Sequence, residues 1–225
     1  MKKKESETKK IKTAWPTKMA MAQVYEMKLW GGNSASFYSG AGSHAPEIVN
    51  PYIDAVTSFL TAFESPIVVC DLGCGDFNVG KKLVKYTKSY TAVDIVTDLI
   101  EHNKKQFKAE NLEFYCLDIA VDELPLGDCA LLRQVLQHLS NAEVQNILCK
   151  LSGFKYVIIT EHLPDGDFIC NTDIISGQGT RLKKHSGLNV LAPPFNLKIT
   201  AEKQLLSITL KEGKGSIVTT LYTLF

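Results

Sequence analysis

The sequence predicts an α/β fold in which a mostly parallel, doubly wound sheet ends in an antiparallel C-terminal hairpin. Three observations lead there. Near-continuous apolar runs alternate with amphipathic helical stretches between residues 66 and 162, the pattern of a parallel sheet covered on both faces. The first run ends in a glycine turn, Asp71-Leu-Gly-Cys-Gly75, that opens a helical stretch. Gln204 to Leu210 and Ser216 to Leu224 are β-rich runs joined by Lys211-Glu-Gly-Lys-Gly215, a five-residue glycine turn and therefore a hairpin. A chain of 225 residues fits one large domain better than two and can bury an ample core.

Residues 1–12 hold six lysines against two glutamates, a +4 segment on a remainder of −3, so residues 1–16 read as a flexible basic tail. The rest offers no basic stripe with interleaved aromatics, which argues against nucleic acid as a partner. Residues 17–225 then form a single domain, with 17–64 as its N-terminal helical cover. From Thr17 to Trp30, Met21, Val24, Tyr25 and Leu29 recur at helical spacing. The glycine- and serine-rich loop from Gly31 to His44 carries two apolar anchors, Phe37 and Tyr38. Asn50-Pro51 reads as an N-cap followed by proline at the first helical position, and Tyr52, Ile53, Val56, Leu60 and Phe63 share one face.

Strand one is expected at Ile67 to Cys70, followed by a helix that turns Val79, Leu83 and Val84 inward. Strand two is Tyr90 to Val93, Thr97 caps a helix through Phe107, strand three is Leu112 to Leu117 and strand four is Cys129 to Leu132. Ser140-Asn-Ala-Glu143 is a capping box that opens a helix stopped by Gly153. Strand five is Tyr156 to Thr160. The connection from Leu163 to Asn196 exceeds thirty residues, too long for a mere link, and is read as a substrate-side loop over residues 163–196.

A strand, a glycine turn, a helix and a second strand ending in Asp94 make a nucleotide-binding half-site. Gly73 and Gly75 let the backbone approach a ligand, and Asp94 is placed to accept ribose hydroxyls. Dinucleotide turns add a third glycine that brings a pyrophosphate onto a helix N-terminus. Here Asn78 stands at that position and Asp76 lies in the loop, which suits a cationic, phosphate-free ligand.

Asp71-Leu-Gly-Cys-Gly75 closely resembles motif I of the class I S-adenosylmethionine-dependent methyltransferases, and the resemblance covers residues 66 to 162 and the terminal hairpin. It implies a Rossmann-like, seven-stranded sheet of order 3-2-1-4-5-7-6, the seventh strand lying between the fifth and sixth. It also implies S-adenosylmethionine as cofactor and S-adenosylhomocysteine as product. By that resemblance Gly73 and Gly75 pass under the methionyl part, and Asp71 fixes the turn and the cofactor's amino group. Asp94 takes the ribose hydroxyls with Ile95 against the adenine, and Asp118 takes the adenine's exocyclic amine with Ile119 behind it. Leu131 to Leu139 matches motif IV beside the reactive methyl, where Arg133 holds a carboxylate or contributes only its backbone carbonyl. The chain departs from the pattern at Phe77-Asn78-Val79-Gly80, where many members place a glycine two residues after the second.

Methyl transfer from a sulfonium needs alignment and dryness more than it needs a metal. Ligands of open α/β sheets sit at the carboxyl ends of the strands, which nominates Arg133, Gln134, Gln137, His138, Glu161 and His162. His138 is the candidate general base, or a cap or orienting group; Glu161 faces the acceptor, or bonds a backbone amide at the sheet edge. Tyr38, His44, Arg181 and Phe195 are substrate candidates in the two loops.

The acceptor is read as an oxygen or nitrogen of a small molecule. The alternatives are a protein or peptide acceptor, a non-catalytic cofactor-binding module and, more distantly, a nicotinamide enzyme. The asparagine/aspartate-proline-proline-tyrosine signature is absent after strand four, against adenine or glutamine methylation of that type. Six cysteines without a C-x-x-C pair read as reduced thiols, and no apolar run approaches a membrane span, so a soluble, cytoplasmic protein without a metal is expected.

Overall fold

The structure, a computed structural model, describes residues 15–32, 37–211 and 213–225. The lysine-rich segment therefore lies outside the described residues. In chain order the elements are α1 (Thr17–Glu26), α2 (Pro46–Leu60), β1 (Val68–Leu72), β2 (Ser89–Asp94), α3 (Thr97–Gln106), β3 (Leu112–Cys116), β4 (Cys129–Arg133), α4 (Asn141–Lys150) and β5 (Tyr156–Leu163). After them come β6 (Ile169–Cys170), β7 (Ser186–Gly187), β8 (Ala201–Thr209) and β9 (Ser216–Thr223).

Seven strands form one sheet of order β3-β2-β1-β4-β5-β9-β8. The first five are mutually parallel, and β9 runs antiparallel between β5 and β8, as expected for the terminal hairpin. Alternate residues of the strands feed two cores. Cys70, Leu72, Ala130 and Leu132 pack with Val144, Ile147 and Leu148 of α4. Val69, Tyr90, Leu131 and Ile158 pack with Val49, Tyr52, Val56 and Leu60 of α2. Each large side chain buried this way contributes about 1.5–3 kcal/mol, so the two helices are held by their apolar stripes rather than by propensity.

Four local expectations change. α2 begins at Pro46, which takes the first helical position, and Pro51 lies inside the helix. The buried stripe from Val49 to Leu60 outweighs the internal proline, whose cost is about 3 kcal/mol. The segment after β1 forms two short 3-10 turns, Gly80–Lys82 and Val84–Tyr86, instead of an α-helix. Phe77 causes this. It adopts φ 61°, which breaks helical geometry, while its ring fills the space between Tyr90, Phe107 and Phe114. Thr97 opens α3 without capping it; the preceding turn is fixed instead by Asp94, whose carboxylate accepts the Val96 N–H at 3.0 Å. β5 continues to Leu163 because β9 pairs with it along its whole length, from Tyr156 opposite Thr223 to Leu163 opposite Ser216.

The capping box of α4 is present as read, with Ser140 and Glu143 exchanging bonds. The long connection after β5 is packed and hydrogen-bonded. Leu188, Val190 and Phe195 enter the α4-side core. The buried Asn171 amide donates to Asn189 O and Pro193 O and accepts the Asn189 N–H.

Candidate functional site

The carboxyl ends of β1, β2 and β4 open into a cleft of about 360 Å³, within the range of small-molecule sites. Its floor is the glycine turn. The N–H groups of Gly73 and Cys74 both reach Val93 O at 2.8 Å, bending the chain sharply out of β1. Gly73 has φ 95° and lies against the Val135 side chain, so a Cβ has neither the backbone conformation nor the room it needs. On the other side of the turn, Gln134 holds φ 56°, a left-handed conformation unfavourable to a residue with a side chain. That kink leads the chain out of β4 and directs residues 134–138 along the cleft wall.

Carboxylates surround the turn. Asp94 is buried and accepts the Gly75 N–H at 3.1 Å as well as that of Val96; burial raises its pKa and these N–H groups oppose the rise. Asp71 lies deeper and is pushed up to about 6 by burial, against the Tyr90 hydroxyl that donates to it at 2.8 Å and the Arg133 charge. Asp118 follows β3 and accepts the Ala120 N–H at 2.9 Å. Among the described residues lining the cleft, Arg133 faces Asp71, Asp76, Asp94, Asp118 and Glu143 as the single lysine or arginine. Its guanidinium lies 4.8 Å from the centre of the Tyr52 ring and donates to Gly42 O and Ser43 Oγ, and burial lowers its pKa. An acid-rich cleft floored by bare glycine backbone fits a compact cation and repels a pyrophosphate.

The opposite wall is assembled from distant segments. Tyr25 and Trp30, from α1 and the residues after it, line it together with Ser39 and Gly40. Asp76 fastens the Ser39–His44 stretch. Its Oδ2 accepts the Ser39 N–H at 2.8 Å and lies 2.6 Å from His44 Nε2, while its own N–H donates to Ser39 Oγ at 2.8 Å. Glu143 ties three segments at once, accepting the hydroxyls of Thr17, Ser140 and Ser176. Burial pushes its carboxyl up, but those hydroxyls outweigh burial and hold the pKa below its ordinary value.

Of the residues nominated from sequence, Asp71, Gly73, Gly75, Asp94, Ile95, Asp118, Ile119, Arg133, Gln137 and His138 line the cleft. His138 stands with its ring 5.1 Å from that of Trp30, and burial lowers its pKa below 6.5, so it is neutral near pH 7. Six nominees lie elsewhere. Tyr38 and His44 stack on each other at 4.3 Å, both outside the cleft lining, and His162 lies 2.5 Å from Lys214 O. Arg181 is 2 % exposed rather than a surface cation, its two terminal guanidinium nitrogens donating to Leu136 O, Leu139 O and Asn141 Oδ1 while its buried Nε has no partner among the described residues. Glu161 is buried behind the cleft wall, where burial pushes its carboxyl up to about 8 against the Arg181 charge. Phe195, in the second loop, is core.

From the sequence alone Asp76 is only a loop charge and Glu143 only a helix cap. The signal was present in both cases: an acid inside a glycine turn, and a capping glutamate beside a cleft. Their partners at Ser39, Thr17 and Ser176 are too far away in sequence to be paired by spacing.

Residues 69–153 match the Methyltransf_25 family, a methyltransferase domain. The search of curated proteins gives no match. Among solved structures, the fold is shared with the N-methyltransferase NodS from Bradyrhizobium japonicum WM9, solved with S-adenosyl-l-homocysteine; the TM-score is 0.67 at 12% identity, over 91% of this chain and 98% of that one. Magnesium protoporphyrin IX methyltransferase from Synechocystis PCC 6803, solved with bound SAM, gives a TM-score of 0.59 at 13% identity, over 95% of this chain and all (100%) of that one. Human N-acetylserotonin methyltransferase gives 0.51 at 20% identity, over 80% of this chain and 54% of that one. With a methyltransferase-domain match over residues 69–153 and the sheet order β3-β2-β1-β4-β5-β9-β8, the chain has the fold of these S-adenosylmethionine-binding methyltransferases.

Proposed function

We propose that the protein transfers the methyl group of S-adenosylmethionine to an oxygen or nitrogen of a small-molecule acceptor, in the cleft above the β1–β2–β4 strand ends. The observation that carries this reading is a cleft rich in carboxylates with a neutral imidazole in its wall. Bound there, the cofactor supplies an electrophilic methyl carbon on a sulfonium that departs as a neutral thioether.

In this reading Gly73 and Gly75 give the methionyl part a surface without side chains. Asp71 fixes the turn beneath it through the Tyr90 hydroxyl. Asp94 accepts the ribose hydroxyls, Asp118 the adenine amine, and Ile95 and Ile119 flank the adenine ring. Arg133, the cleft's cation, faces the methionyl carboxylate. His138 takes the acceptor's proton from the wall opposite the carboxylates, which requires it to be neutral at working pH. Burial provides that. Gln137 lines the wall beside it, while residues 17–64 and 163–196 shape the acceptor side and exclude water.

Titration calorimetry tests the cofactor assignment: S-adenosylmethionine and S-adenosylhomocysteine bind and NADH does not. NADH binding with no response to either methionine derivative overturns it. Methyl-labelled cofactor incubated with size-fractionated cell extract then tests the acceptor, with label expected in the small-molecule fraction; label confined to protein would transfer the reading to a peptide acceptor. Among the described residues no helix is long and apolar enough to cross a membrane.

A further inference from the structure

The turn that carries Gln137 and His138 is gripped from two sides. Residues 177–181 hold one: the Gly177 N–H donates to His138 O at 3.0 Å, and Arg181 donates to Leu136 O at 3.1 Å and Leu139 O at 2.8 Å, the carbonyls on either side of the pair. His138 Nδ1 lies 3.2 Å from Gly179 O. β5 holds the other, where the His162 N–H donates to Gln137 Oε1 at 3.1 Å. With its oxygen so occupied, the Gln137 amide directs its nitrogen at His138 Nε2, 3.3 Å away.

These contacts leave little freedom in the proton positions. A carbonyl only accepts, so Nδ1 carries the hydrogen that Gly179 O receives. A backbone N–H only donates, so the Gln137 atom facing His162 is the oxygen. The remaining amide NH₂ only donates, so Nε2 must be the bare nitrogen. Two bonds from opposite ends of the ring demand the same tautomer.

We propose that Gln137 and Arg181 are positioning residues that lock His138 as the Nδ1–H tautomer and present Nε2 as its accepting nitrogen. The catalytic value of this lock rests on the reading of His138 as the base; the lock itself does not. In turnover an acceptor hydroxyl replaces the Gln137 amide on Nε2. The O–H bond breaks as Nε2–H forms, the new C–O bond forms as the C–S bond of the sulfonium donor breaks, and the positive charge passes from sulfur to the imidazole.

Nitrogen NMR of the full chain, labelled at its five histidines and assigned with His138→Ala, reads the tautomer directly. The wild type is expected to show protonated Nδ1 and unprotonated Nε2 at neutral pH. Gln137→Leu and Arg181→Met are each expected to lose that signature to a mixture of tautomers, with S-adenosylhomocysteine affinity unchanged. If Arg181→Met fails to fold, Gln137→Leu decides alone. A wild-type ring protonated at Nε2, or the same single tautomer in the wild type and Gln137→Leu, overturns the proposal. An unaltered turnover of His138→Ala would remove the base and leave the lock standing, so the two failures are separable.

Discussion

Between Asp71 and Ala120 the cleft is lined by successive turns at strand ends, whereas its opposite wall draws Thr17, Trp30, Glu143, Gln178 and Thr180 from three stretches far apart in the chain. The first half is held by the adjoining strand: Gly73 and Cys74 bond the backbone oxygen of Val93, and Gly75 bonds the carboxylate of Asp94 next to it. The second is stitched by side chains, with Asp76, Glu143, Arg133 and Arg181 as its knots. A site built on strand ends is fixed once the sheet forms. One built from side-chain bonds between loops can change without disturbing the sheet, which suits a common cofactor opposite a variable acceptor.

Substitutions should separate the halves. The largest effect is expected from His138→Ala, with turnover slowed about 10²–10⁴-fold and cofactor binding retained. A rate that stays high below pH 6.5, where an ordinary imidazole is protonated, would accompany the intact residue, because burial lowers the His138 pKa. An unchanged rate in the variant would leave His138 a structural role only. Asp94→Ala should do the reverse. It removes the ribose acceptor and the anchor of the Gly75 and Val96 N–H groups, and hydrogen bonds to a charged group are worth about 1.5–3 kcal/mol, so calorimetry should show cofactor affinity lower by roughly 100-fold.

Glu161→Gln probes the stitched side through stability. The folded carboxyl titrates at about 8, above its ordinary 4.5, so the native state loses stability as pH rises from the lower value through the higher. The amide removes that loss. Thermal melts should show the variant gaining about 4 kcal/mol at pH 8 and nothing at pH 4; a gain equal at both would mean that the titration is not responsible. The smallest effect belongs to Glu143→Gln, which weakens the bonds from Thr17 and Ser176. A loss of about 1 kcal/mol is expected, with faster amide exchange confined to α1 and residues 174–178. Exchange that also rises in β1 or β2 would erase the distinction between the halves.

The same distinction governs what could be read from residues alone. Glycine turn, hairpin and capping box are written in short windows, since Asp71–Gly75, Lys211–Gly215 and Ser140–Glu143 each carry their own pattern, whereas the strand order followed from the family resemblance alone. Asn50-Pro51 misled because a proline suits a helix start by local rules, while the buried stripe from Val49 to Leu60 extends the helix back to Pro46. Phe77 replaced an expected helix with 3-10 turns by a ring contact that no periodicity reveals. Arg181, followed by Leu182 and two lysines, has the appearance of a surface cluster; only the converging oxygens of Leu136, Leu139 and Asn141 explain its burial.

The antiparallel insertion of β9 has a bearing on how the molecule is made. As the chain leaves the ribosome, residues 156–163 emerge long before residues 216–223, and in that interval β5 is an unprotected border whose amides are free to recruit another molecule. The terminal hairpin therefore serves as a late seal on the nascent sheet, and conditions that delay its docking favour clumping over maturation.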